Sequence, residues 1–164
     1  MLRAATVAAF NAWTLAIFAA VTLLGVVLGD MTSLVVAAAL GIFAHVEFRG
    51  AALFRRFDPS AARLVGYNQL ALGAAIVAYA AWQLYQSQHS SALAEASQTG
   101  DPATDAMLSN LTSTITIGLY GTVAAVGIIA PGLNAWYYFS RDKVVRRMVD
   151  RTPVWVIDAL RAAA

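Results

Sequence analysis

The chain contains no cysteine. That absence removes disulfide frameworks, thiolate metal sites and cysteine nucleophiles together, and it leaves the redox compartment unreadable from thiols. Histidine is almost as scarce. His45 and His89 are the only two, which argues against a haem held by paired histidines and against a histidine-rich metal centre. Charge is the third shortage: charged residues make up 12% of the sequence, against about 25% in an ordinary soluble domain. Apolar residues fill the gap at 60%, with a mean hydropathy of +0.65 over 164 residues. The length fits one compact domain, and the composition is that of a polytopic membrane protein.

A helix needs about 20 apolar residues to cross the hydrocarbon core of a bilayer. Four segments meet or approach that requirement. Ala4 to Gly29 carries no charge, Thr32 to Phe48 is shorter with Glu47 near its end, and Leu64 to Tyr85 and Ile115 to Phe139 are charge-free. Backbone groups inside lipid must be paired within their own segment, so the runs read as helices. The expected fold is therefore an all-α, antiparallel bundle of four transmembrane helices over residues 1–140, followed by a basic cytoplasmic tail over 141–164. A cleaved leader is the competing reading of the first run, because Arg3 precedes it. That run is much longer than the roughly 7–15 residues of a leader's apolar region, and no small-x-small cleavage signal precedes Asp30.

Turn chemistry places the boundaries. Gly29-Asp30-Met31-Thr32-Ser33 predicts a tight connection, with Thr32 or Ser33 capping the second helix. Asp58-Pro59 reads as an N-cap followed by proline in the first helical position, which carries the second helix to about Arg56. Gly100-Asp101-Pro102 repeats the signature before the fourth span. Ser87 to Gln98 lacks proline, so the third helix is expected to protrude and turn near Gly100, a disordered loop over 86–110 being the other reading. No internal repeat is present.

Basic residues set the expected orientation. Given four spans, Arg3, Arg49, Arg55, Arg56, Arg63, Arg141, Lys143, Arg146, Arg147, Arg151 and Arg161 all fall on the side holding the termini and the second connection. The other two connections have none. Such asymmetry predicts both termini in the cytoplasm. Eleven basic against five acidic groups (Glu47, Asp58, Asp142, Asp150, Asp158) give +6 inside, while Asp30, Glu95, Asp101 and Asp105 give −4 outside. A basic surface without a soluble domain or nucleic-acid-binding signature points to anionic lipids at the cytoplasmic face, and no nucleic-acid partner is expected. Tyr79, Trp82 and Tyr85 mark the outer interface; Tyr67, Trp136, Tyr137 and Tyr138 mark the inner one.

Polar residues inside a membrane are costly, which makes them the place to look for function. On the first helix Asn11, Thr14, Phe18, Thr22, Gly25 and Gly29 form one stripe, and Gly25-x-x-x-Gly29 permits close approach of a neighbour. On the second, Ala37, Gly41, Ala44, His45 and Phe48 share a small face, with Glu47 expected to reach the water boundary or an arginine. On the third, Gly66, Gln69, Gly73 and Ala80 line a close-approach face and Asn68 lies beside it. On the fourth, Tyr120, Ala124, Gly127, Pro131 and Asn134 form a row, and Pro131 is expected to kink the helix by leaving the Gly127 carbonyl without its amide partner. Gly25, Gly29, Gly41, Gly73 and Gly127 are thus the expected packing positions. Asn11, His45, Asn68, Gln69 and Asn134 lie at similar depths, about 6–12 Å from the cytoplasmic ends of their helices. They predict one polar layer.

After Phe139 the basic stretch from Arg141 to Arg151 continues the fourth helix, with Val144, Val145 and Met148 as a narrow apolar edge. Thr152-Pro153 stops it. A short amphipathic segment follows, with Val154, Ile157 and Leu160 on one face, suited to lie against headgroups or dock beneath the bundle. No nucleophile-base set, carboxylate pair or phosphate loop appears, so neither an enzyme nor a bound cofactor or metal is expected. The expected function is that of a non-enzymatic accessory or scaffold component in the cell membrane, within a homo-oligomer or larger complex. The alternative is a small-molecule or ion carrier with a cytoplasm-facing pocket around His45, the one histidine within a span.

Overall fold

The structure is a computed structural model that describes residues 2–89 and 101–162. Among these residues there are five helices and no strand: α1 (Leu2–Val27), α2 (Met31–Arg55), α3 (Ala61–His89), α4 (Pro102–Arg151) and α5 (Val154–Ala162). The first four are long and apolar enough to cross a membrane. Large apolar side chains such as Phe10, Trp13, Ile17, Leu24, Ile42 and Ile128 stand exposed along them. A soluble protein would bury such surface; in lipid it needs no cover. Helix α2 outruns its apolar segment to Arg55, and α4 extends through the basic stretch to Arg151. Helix α3 continues past Tyr85 to His89, and α4 begins at Pro102, so both flanks of the expected protruding hairpin are helical; residues 90–100 between them lie outside the described residues.

Local chemistry explains the helix ends. Helix α1 closes with a Schellman motif: the Gly29 amide donates to the Val26 carbonyl and the Asp30 amide to the Gly25 carbonyl, both at 3.0 Å. Gly29 takes φ +91°, which a side chain would resist, and a Cβ there would meet nothing within 4 Å. Gly29 is thus a turn residue rather than a packing one. Helix α2 ends the same way at Phe57, whose φ of 55° puts a bulky residue where glycine is usual. Asp30, and not Thr32 or Ser33, caps α2, accepting from the Thr32 amide at 2.9 Å and from the Ser33 hydroxyl. A carboxylate satisfies the orphan amides and complements the positive helix end, which a hydroxyl does only in part. Asp101 caps α4 through the Ala103 amide and the Thr104 hydroxyl. Before α3, Asp58 binds the amide and hydroxyl of Ser60, and regular helix starts at Ala61 rather than at Pro59.

The chain divides into two compact units, residues 1–70 with 133–164, and residues 71–132. In the first, Ala4, Ala5 and Ala8 of α1 meet Ala51 and Phe54 of α2, Ala61, Ala62 and Val65 of α3, and Tyr138 and Val145 of α4. Alanine dominates this core, and small side chains let helix backbones approach. Tyr138 and Phe54 are its largest buried members, stacked at 6.0 Å between centroids. Asp142 links α3 to α4 by accepting from Arg63 at 3.3 Å, and it also holds Arg146 one turn on. Within α5, Ile157 is buried whereas Val154 and Trp155 are exposed.

In the second unit Gly73 faces the Gly127 carbonyl, which a Cβ on Gly73 would approach to 2.8 Å, and also Pro131. Gly127 in turn lies against Ile76. Helix α4 passes through Pro131 as one continuous element. Gln83 ties the aromatic end together, donating to the Tyr79 hydroxyl at 3.0 Å and the Tyr120 hydroxyl at 3.2 Å. Of the expected packing glycines, Gly25, Gly73 and Gly127 meet neighbours. Gly41 is exposed and a Cβ there would meet nothing within 4 Å, because it lies off the face that α2 buries.

Candidate functional site

Helix α2 buries Ala37, Ala44 and Ala51, seven residues apart, with Glu47 between the last two. Residues three and four apart share a helix face, so the alanine line runs directly through Glu47. His45 is one step from Ala44, about 100° around the helix, and its side chain is exposed. The expected polar layer therefore loses His45 and gains Glu47. The small face expected through Gly41 and His45 lies on the other side of Ala44. The seven-residue alanine spacing was the signal that identifies the right one.

Helix α3 brings two consecutive amides to the carboxyl. Asn68 Nδ2 donates to Glu47 Oε1 at 2.9 Å, and Gln69 Nε2 donates to the same oxygen at 2.8 Å. Neighbouring helical residues diverge by about 100°, but the extra methylene of Gln69 lets its amide reach the point where the shorter Asn68 already ends. Asn68 Nδ2 also donates to the Phe43 carbonyl at 3.1 Å, spanning one turn of α2. From α4, Asn134 Nδ2 donates to Gln69 Oε1 over a long 3.5 Å. Glu47 is 0% exposed, Gln69 2% and Asn68 7%. Glu47 thus neither reaches water nor pairs with an arginine, because α3 supplies its donors in place.

Asn11 is half-buried and donates to the Tyr138 hydroxyl at 3.4 Å. Tyr138, read from sequence as an interfacial aromatic, is fully buried instead. It lies four residues after Asn134, hence on the same face of α4, and that spacing was the available signal. The rest of the α1 stripe is self-satisfied: Thr14 and Thr22 donate to the carbonyls of Phe10 and Phe18 on their own helix. Four of the five expected layer residues, Asn11, Asn68, Gln69 and Asn134, therefore make contacts between helices.

No protein-family model, curated protein or solved structure matches this chain. Function must then be argued from the site, and fold alone would not decide it. Among the described residues no three His, Cys, Asp or Glu side chains group so as to hold a metal ion. The arrangement offers one carboxyl, with Oε1 gripped by two amides and Oε2 buried without a hydrogen-bond partner. Its evident chemistry is hydrogen bonding between helices, with a single oxygen left over.

Proposed function

We propose that the chain is a non-enzymatic scaffold or accessory component of a membrane assembly, either a homo-oligomer or a larger complex. In this reading α1 to α4 cross the cell membrane as an antiparallel bundle, with both termini and the basic end of α4 in the cytoplasm against anionic lipid. The observation that carries it is the hydrogen-bonded chain Asn68–Glu47–Gln69–Asn134, which joins α2, α3 and α4 through side chains. Side-chain hydrogen bonds that tie three helices together support a rigid bundle. A carrier centred on His45 draws no support from the exposed position of that ring. The test is purification of the full chain in mild detergent and in lipid nanodiscs, followed by native mass analysis. A second copy or a stoichiometric protein partner is the expected result. A lone monomer in both media, or ion or solute flux into liposomes carrying it, overturns the proposal.

A further inference from the structure

The sequence has two glutamates, Glu47 and Glu95, and Glu47 is 0% exposed. A carboxylate oxygen offers two acceptor directions, and at Glu47 Oε1 both are taken by the amides of Asn68 and Gln69. Oε2 is buried and has no hydrogen-bond partner. An ionised carboxylate shares its negative charge between both oxygens, and a charged oxygen shut away without donor or counter-ion is strongly disfavoured. A neutral carboxyl is asymmetric: one oxygen is an acceptor and the other carries hydrogen. The environment of Glu47 is asymmetric in that same sense.

The surrounding charges do not supply a counter-ion. On α2 itself His45, Arg49 and Arg55 are exposed. Helix α3 contributes Arg63, which pairs with Asp142, and an exposed Tyr67. Helix α1 contributes Arg3, also exposed, and α4 brings Tyr138, a buried phenol bonded to Asn11, together with Asp142 held by Arg63 and Arg146. A metal ion fits the position poorly, since hard cations need several oxygen ligands. The Gln69 carbonyl already accepts from Asn134, and the Phe43 carbonyl from Asn68. A proton needs one free oxygen, and the site has one.

We propose that Glu47 is a proton-binding site enclosed in the helix bundle, with the proton on Oε2 and Oε1 held as acceptor by Asn68 and Gln69. Binding is a simple exchange: Oε2 takes a proton from water and returns it, with no other bond made or broken. Occupancy is coupled to packing. Loss of the proton leaves a charged Oε2 facing no donor, and the contact of α2 with α3 must loosen to admit water. Acid therefore tightens this contact and alkali weakens it. The site requires only the buried carboxyl and stands apart from the scaffold reading.

The two-glutamate composition makes the test clean. In a Glu95→Gln background, glutamate labelled with carbon-13 at its carboxyl gives a single side-chain signal, that of Glu47, in the full chain reconstituted in nanodiscs. Between about pH 5 and about pH 9, spanning well beyond the ordinary carboxyl range, the expected spectrum is that of a neutral carboxyl through neutral pH, giving way to carboxylate in alkali. The melting temperature should fall over the same interval, and Glu47→Gln should abolish that fall because an amide cannot ionise. A carboxylate signal at every pH overturns the proposal, whether or not the glutamine variant folds. A neutral signal with identical melting profiles for Glu47→Gln and its parent overturns the coupling to packing.

Discussion

Where α1 meets the first turn of α2, a Cβ placed on Gly25 would lie 2.9 Å from the Ser33 Cβ. Ser33 cannot swing aside freely, because its hydroxyl is engaged by Asp30. Gly25→Leu should therefore force the helices apart and lower stability in detergent by about 1–3 kcal/mol. Thermal melting of the purified variant checks this, and an unchanged midpoint would mean that the face is slack. Single residues also show where sequence reading succeeds and where it stops. Asn68, Gln69 and Asn134 were legible because polar side chains on otherwise apolar spans have few reasons to be there. Glu47 was not, because rank by cost sends a charged residue to water, and only the donors on another helix reverse the ranking. No property of α2 alone reveals those donors.

At the scale of helices, Asp30 and Asp101 do the same work at two starts. The Ser33 hydroxyl first, and then the Thr32 amide, hold the Asp30 carboxyl below its usual 3.8. The Thr104 hydroxyl and then the Ala103 amide do so for Asp101. A carboxyl depressed in the folded state stabilises helix starts fully above its unfolded value and loses that effect as pH falls through the lower folded one. Protection of the Ala103 and Thr104 amides against exchange, relative to their intrinsic rates, should accordingly fall below about pH 4, and Asp101→Ala should show the lower protection already at neutral pH. Equal exchange in variant and parent at pH 7 would remove the cap from the account. Caps of this kind are local, which is why Asp101-Pro102 placed the start of α4 from sequence alone. At the start of α3 the Asp58 carboxyl accepts from the amide and hydroxyl of Ser60, and regular helix begins at Ala61. The reach of α4 to Arg151 was legible for the same local reason, Thr152-Pro153 being the first break in helix chemistry.

For the whole molecule, the uneven distribution of its eleven basic residues is the strongest long-range signal in the sequence. A chain without cysteine makes it directly testable. Single cysteines at Ala103 and at Ser60, both exposed positions, should react with an impermeant thiol reagent from opposite sides of sealed cells, Ala103 from outside. Labelling of both from one side would sink the four-span topology. Composition thus carries the membrane class and charge the expected orientation, whereas the contacts around Glu47 depend on residues that meet only after folding. Those contacts also impose an order in time. Asn68 and Gln69 follow Glu47 by 21 and 22 residues, roughly one span, so α2 is synthesised before anything that satisfies its acid exists. Alone in the hydrocarbon it would carry an unsatisfied carboxyl. Helices α2 and α3 should therefore enter the bilayer as a pair during biogenesis: a nascent chain truncated after Ser60 should insert α2 less efficiently than one extended through His89, and Glu47→Leu should erase the difference.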